Sequence, residues 1–149
     1  MAETAAQAAP RSRTPVHLWI VGVLALLWSA GGCFDYLATQ YRWEFYLSHF
    51  TQEQLDYFYG APAWMDAAWA IAVWAGLAGA LGLLLRRRWA VWMFAASLLA
   101  LAVSTAYSAT SGGFAIMGPE AVYFTIVIWV LAILLLWYAQ RMAKRGVLT

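Results

Sequence analysis

The sequence predicts an all-α membrane protein, a bundle of four transmembrane helices with a short extracytoplasmic amphipathic helix between helices 1 and 2. Hydrophobic residues make up 64% of the 149 residues and charged residues only 11%, a balance that lies outside the range of soluble domains. Four segments with almost no charge each have the roughly 20 residues that a helix needs to cross ~30 Å of hydrocarbon. Basic and acidic residues gather at opposite ends of these segments.

The first apolar segment has two interpretations. The four segments cover residues 16–38, 62–85, 89–109 and 119–140. Because Arg11 and Arg13 precede the first, it could be a secretory signal peptide. A signal peptide has an apolar core of about 7 to 15 residues and then a cleavage site of small residues. This segment is longer and continues into Phe34, Asp35 and Tyr36, so we expect it to remain as a transmembrane helix.

The distribution of charge predicts the orientation. Eight of the nine basic residues lie on one side of the predicted bundle: Arg11, Arg13, Arg86, Arg87, Arg88, Arg141, Lys144 and Arg145. Arg42 is the exception, and Glu3 is the only acidic residue on that basic side. Short cytoplasmic loops carry an excess of Lys and Arg. We therefore expect a membrane protein with both termini in the cytoplasm, where residues 1–15 form a disordered tail and residues 141–149 a basic tail. Topology explains the basic clusters, so no nucleic-acid partner is expected.

The connection between helices 1 and 2 is the only long one, with about 23 residues from Thr39 to Ala61. Within it, Thr51 and Gln54 have the spacing of a capping box. This spacing predicts a short helix from Gln52 to Tyr59, suited to lying on the bilayer surface or to capping the bundle. The other two connections, residues 86–88 and 110–118, are short, which predicts antiparallel hairpins.

Small residues at four-residue spacing predict where the helices pack, because lipid tails provide no hydrophobic drive for association. They are Ala25, Ser29 and Cys33 in helix 1, Ala68, Ala72, Gly76 and Ala80 in helix 2, and Ala96, Ala100, Ser104 and Ser108 in helix 3. Helix 4 is bulkier, so we expect it to face lipid most. Cys33 is the only cysteine; we interpret it as a packing residue, and no internal disulfide is possible.

Three carboxylates lie at the predicted outer boundary: Asp35, Asp66 and Glu120. An ionisable residue inside a membrane segment is costly without a partner or water, which makes it a candidate for function. Asp66 and Glu120 begin helices, where the helix dipole by itself favours a negative charge. Asp35 lies near the end of helix 1, where the dipole opposes it. Asp35 therefore either belongs to a binding site or forms an ion pair with Arg42.

Charged and aromatic residues together suggest an outer vestibule for a small solute. Its predicted residues are Asp35, Asp66, Arg42, Trp28, Tyr36, Trp69 and Glu120. Carboxylates and aromatic faces suit a sugar-like or cationic solute, although aromatic residues also anchor helices at the membrane interface. His49 is a lone histidine, so no metal is expected, and no cofactor is predicted. Without a phosphate loop or a nucleophile elbow, neither ATP use nor hydrolysis is expected, and the chain is not predicted to be an enzyme.

A resemblance extends over nearly the whole chain. The residues that carry it are His17 to Gly22, Phe34-Asp35-Tyr36, Phe50 to Tyr59, Pro62-Ala63-Trp64 and Arg86 to Trp89. Together they resemble a group of small four-helix inner-membrane proteins from proteobacteria that are often labelled sugar transporters. The resemblance implies a bacterial inner-membrane location and a transport class, and it assigns no binding residues.

The leading hypothesis is therefore a small-solute, sugar-like transporter in the lipid bilayer that works as a homo-oligomer, with protomers paired through the small-residue stripes. A non-transporting scaffold or accessory subunit that binds a partner through the long loop is the alternative, and a membrane enzyme is a third.

Overall fold

The computed structural model describes residues 13–149 and contains seven helices in that range, four of them long and apolar enough to cross a membrane. The long helices are α1 (Val16–Gln40), α4 (Ala63–Leu84), α5 (Trp89–Thr110) and α7 (Pro119–Lys144), and the short ones are α2 (Glu44–Leu47), α3 (Gln52–Tyr59) and α6 (Gly113–Met117). No strand occurs in the described range. Of the tail predicted for residues 1–15, residues 1–12 lie outside the described range.

The long helices pack in the order α1, α4, α5, α7. The α4–α5 hairpin is the closest pair, α1 packs along α4, and α7 packs along α5. The two outer helices, α1 and α7, are not packed closely along their length. Side chains bridge them at two places: His17 Nδ1 lies 2.6 Å from the Tyr138 hydroxyl, and the ring centroids of Trp28 and Phe124 are 6.0 Å apart. The α1–α7 seam is therefore the loosest in the bundle.

The end of the bundle that carries the turn of residues 85–88, which we call the arginine end, holds the main core. Its buried residues are Leu18, Ala25, Ala80, Leu83, Ala90, Phe94, Ala139, Met142, Val147 and Leu148. Two glycines of α4 allow this close packing. A Cβ at Gly79 would lie 2.8 Å from the Phe94 ring, and one at Gly82 would lie 2.8 Å from the Ala90 Cβ.

The last residues of the chain pack onto the arginine end. From the sequence we expected residues 141–149 to be a basic tail, but α7 continues to Lys144 and residues 145–149 then turn back onto the bundle. Gly146 has a φ of 71°, a left-handed conformation typical of the residue that ends a helix. Leu148 is only 1% exposed. The backbone of Thr149 exchanges two hydrogen bonds with the α4–α5 turn, with N–O distances of 2.7 and 3.1 Å.

At the opposite end, which we call the loop end, α3 lies across the bundle. The predicted capping box is confirmed: the Thr51 side chain accepts from the Gln54 amide, and the Gln54 side chain accepts from the Thr51 amide. The Tyr57 hydroxyl lies 2.7 Å from Ser111 Oγ in the α5–α6 turn. The Tyr59 hydroxyl donates to a backbone oxygen of α1 at 2.8 Å. These contacts tie α3 to the helices beneath it.

Two short helices, α2 and α6, occur where the sequence predicted irregular connections. Glycines with a positive φ flank α6, with Gly112 at 77° before it and Gly118 at 84° after it. Few residue types other than glycine adopt this conformation, so these two positions set the limits of α6. Glu44 stands in the first turn of α2, where a carboxylate interacts favourably with the helix dipole.

The packed and exposed helix faces follow the residue sizes. The small-residue stripe of α1 is buried, with Ala25 at 3%, Ser29 at 8% and Cys33 at 5% exposure. By contrast, no residue in the most apolar stretch of α7 is buried. The helix that the sequence predicts to face lipid most is therefore the least buried of the four long helices, and the α1 stripe packs inside the bundle.

Candidate functional site

A cavity of about 520 Å³ lies between the four long helices, toward the loop end. All four helices and α2 contribute to its wall. Ligand pockets in proteins have volumes of roughly 300–1,000 Å³, so this cavity is large enough for a small organic molecule.

Small side chains and the α1–α7 seam explain why this space exists. Gly31 and Gly32 of α1 and Ala72 and Gly76 of α4 line the cavity. A Cβ added at Gly31 would meet nothing within 4 Å. Since α7 stands away from α1, no bulky side chain fills the volume that these residues leave.

Most of the cavity wall is apolar and aromatic. Five aromatic residues besides Tyr46 line it: Trp28, Phe34, Trp69, Phe94 and Phe124. The wall also has four hydroxyl groups, those of Ser29, Tyr46, Ser97 and Ser104. Ser97 Oγ donates to a backbone oxygen of α4 at 2.6 Å, and Ser104 Oγ donates within its own helix at 3.0 Å. These two serine donors are therefore already used.

Asp35 and Tyr46 form the polar centre of the wall. The Tyr46 hydroxyl donates to Asp35 Oδ1 at 2.5 Å. Burial raises the pKa of Tyr46, and the hydrogen bond to Asp35 and the negative charge of Asp35 raise it further, so the phenol stays protonated as a donor. The second oxygen of Asp35 has no hydrogen bond within the described residues and is not buried. Asp35 therefore keeps one acceptor oxygen for another group.

The structure brings three of the seven predicted site residues together. Trp28, Asp35 and Trp69 all line the cavity. Tyr36 does not, but its ring packs edge-on against Trp69 with the centroids 5.1 Å apart. Tyr36 therefore supports the wall from behind.

The other three predicted residues lie outside the cavity wall. Asp66 and Glu120 stand in the first turns of α4 and α7, the positions that the helix dipole favours. The Arg42 guanidinium lies over the Tyr59 ring, 4.1 Å from its centroid. The alternative in which Arg42 forms an ion pair with Asp35 is wrong for the described residues, since Arg42 contacts the Tyr59 ring and the Asp35 carboxylate accepts from Tyr46.

Sequence reasoning missed several residues of the wall. Tyr46 comes from a connection whose fold the sequence did not indicate, and Phe124 comes from the helix expected to face lipid. Ser104 was noticed only as a packing residue. The predicted site was a vestibule at the outer boundary, whereas the cavity extends between the helices from Asp35 to Leu135. A search for polar residues that share the level of Asp35 on the neighbouring helices would have found Ser104.

A second concave surface adjoins the cavity. It is an apolar groove of about 420 Å³ between α1 and α7. Trp28 and Leu135 line both the groove and the cavity, so the two spaces share a wall at the α1–α7 seam. In a bilayer this groove would face the lipid.

Fold and site together define a four-helix bundle of membrane-spanning dimensions with an aromatic-lined, partly open cavity between its helices. Comparison with protein-family models, with curated proteins and with solved structures finds no match to this chain. Within residues 13–149, no group of three or more His, Cys, Asp or Glu residues could hold a metal ion.

Proposed function

We propose that this protein is a small-solute transporter of the bacterial inner membrane and that it binds its solute in the cavity between the helices, at Asp35. One observation carries the proposal: a carboxylate in a membrane-spanning helix lines a cavity of about 520 Å³ and keeps one oxygen free of protein hydrogen bonds. Such a group is costly to hold within a membrane segment. A carboxylate oxygen that is fully buried in protein is normally hydrogen-bonded, whereas the second oxygen of Asp35 is exposed and unbonded within the described residues.

The charge distribution supports the orientation. With the arginine end in the cytoplasm, the positive-inside rule is met, and α2, α3 and α6 lie on the outer side. In this arrangement α3 is the extracytoplasmic amphipathic helix. The Phe58 ring of α3 lies nearly parallel to that of Trp69, with the centroids 6.4 Å apart, so α3 supports this part of the cavity wall from the outer side.

The transport cycle needs a second opening at the arginine end, where Leu18, Leu83, Met142 and Leu148 are almost fully buried. One bundle of four helices makes a thin wall for such a pathway, and we propose a homo-oligomer as the working unit. Because the small residues of α1 are used inside the protomer, the partner contact falls on other faces, and the exposed apolar surface of α7 is the largest available.

The test is uptake into proteoliposomes of radiolabelled glucose and of radiolabelled benzyltrimethylammonium, two solutes that cross pure lipid slowly. We expect uptake of at least one above that of protein-free vesicles and a loss of about tenfold or more in Asp35→Asn. Asp56→Asn is the matched control, because Asp56 is an exposed carboxylate of α3 that bonds only Gln52. Uptake of neither solute, or equal uptake by both variants, would overturn the proposal.

A partner-binding accessory subunit is the second candidate, and the exposed aromatic residues between α1 and α3 favour it. Tyr41 is 71% exposed and Phe45 74% exposed, and exposed apolar patches mark interaction surfaces. In this case the protein co-purifies with a larger complex from its native membrane, Phe45→Ala releases it, and Asp35→Asn has no effect on the assembly.

A further inference from the structure

We infer that the solute of this cavity is a lipophilic monocation, an alkyl- or aryl-substituted ammonium whose charge lies at Asp35 and whose apolar body lies against the aromatic wall. This inference rests on the proposed function. It assigns to the cavity a substrate class that differs from the sugar expected from the sequence resemblance. Charge, hydrogen bonding, aromatic surface and access each favour it.

The cavity wall carries an unbalanced negative charge. Asp35 is the only acidic residue in the wall, and no Lys, Arg or His among the described residues lines it. The nearest candidate from the sequence, Arg42, is engaged with the Tyr59 ring. An ionised Asp35 therefore leaves one uncompensated negative charge between membrane-spanning helices. A bound monocation supplies the missing charge, and the loss of its own hydration is offset by the ion pair.

Hydrogen-bonding capacity argues against a sugar. Three of the four wall hydroxyl groups, those of Tyr46, Ser97 and Ser104, already donate to protein acceptors. A sugar presents several hydroxyl oxygens that need donors, and a buried polar group without a partner costs ~1–3 kcal/mol. A quaternary or tertiary ammonium needs no donors. It uses the free oxygen of Asp35 and otherwise seeks apolar surface.

The aromatic residues supply that surface. Trp28, Phe34 and Trp69 line the same cavity as Asp35, and all three lie on α1 and α4, which pack along each other. Aromatic faces attract cations, with Trp the strongest, and recognition of substituted ammonium groups by aromatic cages is a common use of this interaction. The combination of one carboxylate with several rings therefore selects for a cation with an apolar body.

The α1–α7 groove provides a path that suits such a solute. Its wall is almost wholly apolar and meets the cavity at Trp28 and Leu135. A lipophilic cation concentrates at the membrane interface and in the hydrocarbon next to it, so it reaches the groove from within the bilayer. A sugar does not dissolve there.

The test is ligand binding to the purified full-length protein in detergent, measured by isothermal titration calorimetry. Three soluble probes are compared: benzyltrimethylammonium and benzenesulfonate, which share a phenyl ring and carry opposite charges, and glucose, a neutral polyol. We expect saturable binding of the cation only. Asp35→Asn should weaken this binding about tenfold or more, Asp35→Glu should retain part of it, and the matched control Asp56→Asn should bind as the unmodified protein does.

The probe series on the unmodified protein tests the charge preference whether or not any variant folds. Binding of glucose in preference to the cation, equal binding of the anion, or binding of none of the three would overturn the inference. If glucose alone binds and is taken up with dependence on Asp35, the proposed transporter stands and the substrate class is wrong. If the cation binds but does not enter proteoliposomes, the substrate class stands and transport is wrong.

Discussion

The arginine end and the loop end of the bundle are held together in different ways. At the arginine end ten buried hydrophobic residues form one cluster, and glycines bring α4 and α5 into close contact. At the loop end the cavity takes the place of a core, and hydrogen bonds from Tyr46, Tyr57 and Tyr59 connect the elements. Close packing therefore dominates at the arginine end and the candidate site lies toward the loop end. The two regions meet at Phe94, which belongs to the buried cluster and also lines the cavity.

Matched leucines give the largest expected contrast. Leu83 is fully buried in the arginine-end cluster, whereas Leu101 borders the cavity. Leu83→Ala leaves a new void and should cost ~2–5 kcal/mol of unfolding free energy. Leu101→Ala only enlarges an existing space and should cost about 1 kcal/mol or less. Thermal unfolding of the two variants in the same detergent measures both effects, and equal losses would show that the two ends are packed alike.

Matched glycines give the next contrast. A Cβ at Gly79 would lie within 3.0 Å of three Phe94 ring carbons, whereas one at Gly31 would meet nothing within 4 Å. Gly79→Ala should destabilise the protein by ~1–3 kcal/mol because the ring must move. Gly31→Ala should be neutral or stabilising by up to ~1 kcal/mol, because alanine is the better helix former. The unfolding temperatures of both variants test this prediction. No loss of stability in Gly79→Ala would contradict the close approach of α4 and α5.

Matched tyrosines compare the polar link at each end. Tyr46 bonds the Asp35 carboxylate, and Tyr138 bonds His17. Tyr46→Phe removes a bond to a charged group and should cost ~1.5–3 kcal/mol, whereas Tyr138→Phe should cost ~1 kcal/mol. Chemical unfolding of both variants provides the measurement. A larger loss for Tyr138→Phe would mean that the α1–α7 seam depends on its polar contact more than the cavity wall does.

Alkaline pH should produce the smallest effect. Burial and the neighbouring Asp35 raise the pKa of Tyr46, whereas an unfolded tyrosine ionises near pH ~10. Above that pH the unfolded chain loses this proton while the folded protein retains it, so this contribution to stability is complete below ~10 and declines as pH rises further. Unfolding temperatures measured from pH ~8 to pH ~11 should fall less steeply in Tyr46→Phe than in the unmodified protein. Equal slopes for the two proteins would contradict a raised pKa of Tyr46 in the folded state.

The sequence predicted those features that depend on local pattern. Apolar runs located the four long helices, and the spacing of Thr51 and Gln54 located α3, because a capping box needs only residues that are close in the chain. The helices α2 and α6 escaped prediction. They are four and five residues long, and helices this short depend on tertiary contacts more than on propensity.

The candidate site was predictable only in part. Asp35, Trp28 and Trp69 were predicted because their residue types and their positions in the apolar segments are enough to make them candidates. Their grouping with Tyr46 and Phe124 depends on the order in which the helices pack, and hydrophobicity along one chain does not contain that order. The partner of Arg42 was missed for the same reason, since Tyr59 reaches it only after α3 has folded back over the bundle.

The segment after α7 has a consequence for biosynthesis. Thr149 joins the α4–α5 turn at Arg86, 63 residues earlier in the chain, and Leu148 completes the buried cluster there. The α4–α5 hairpin is thus synthesised before the residues that cover its turn. During synthesis the turn is therefore exposed until Leu148 and Thr149 have been added and α7 has packed along α5.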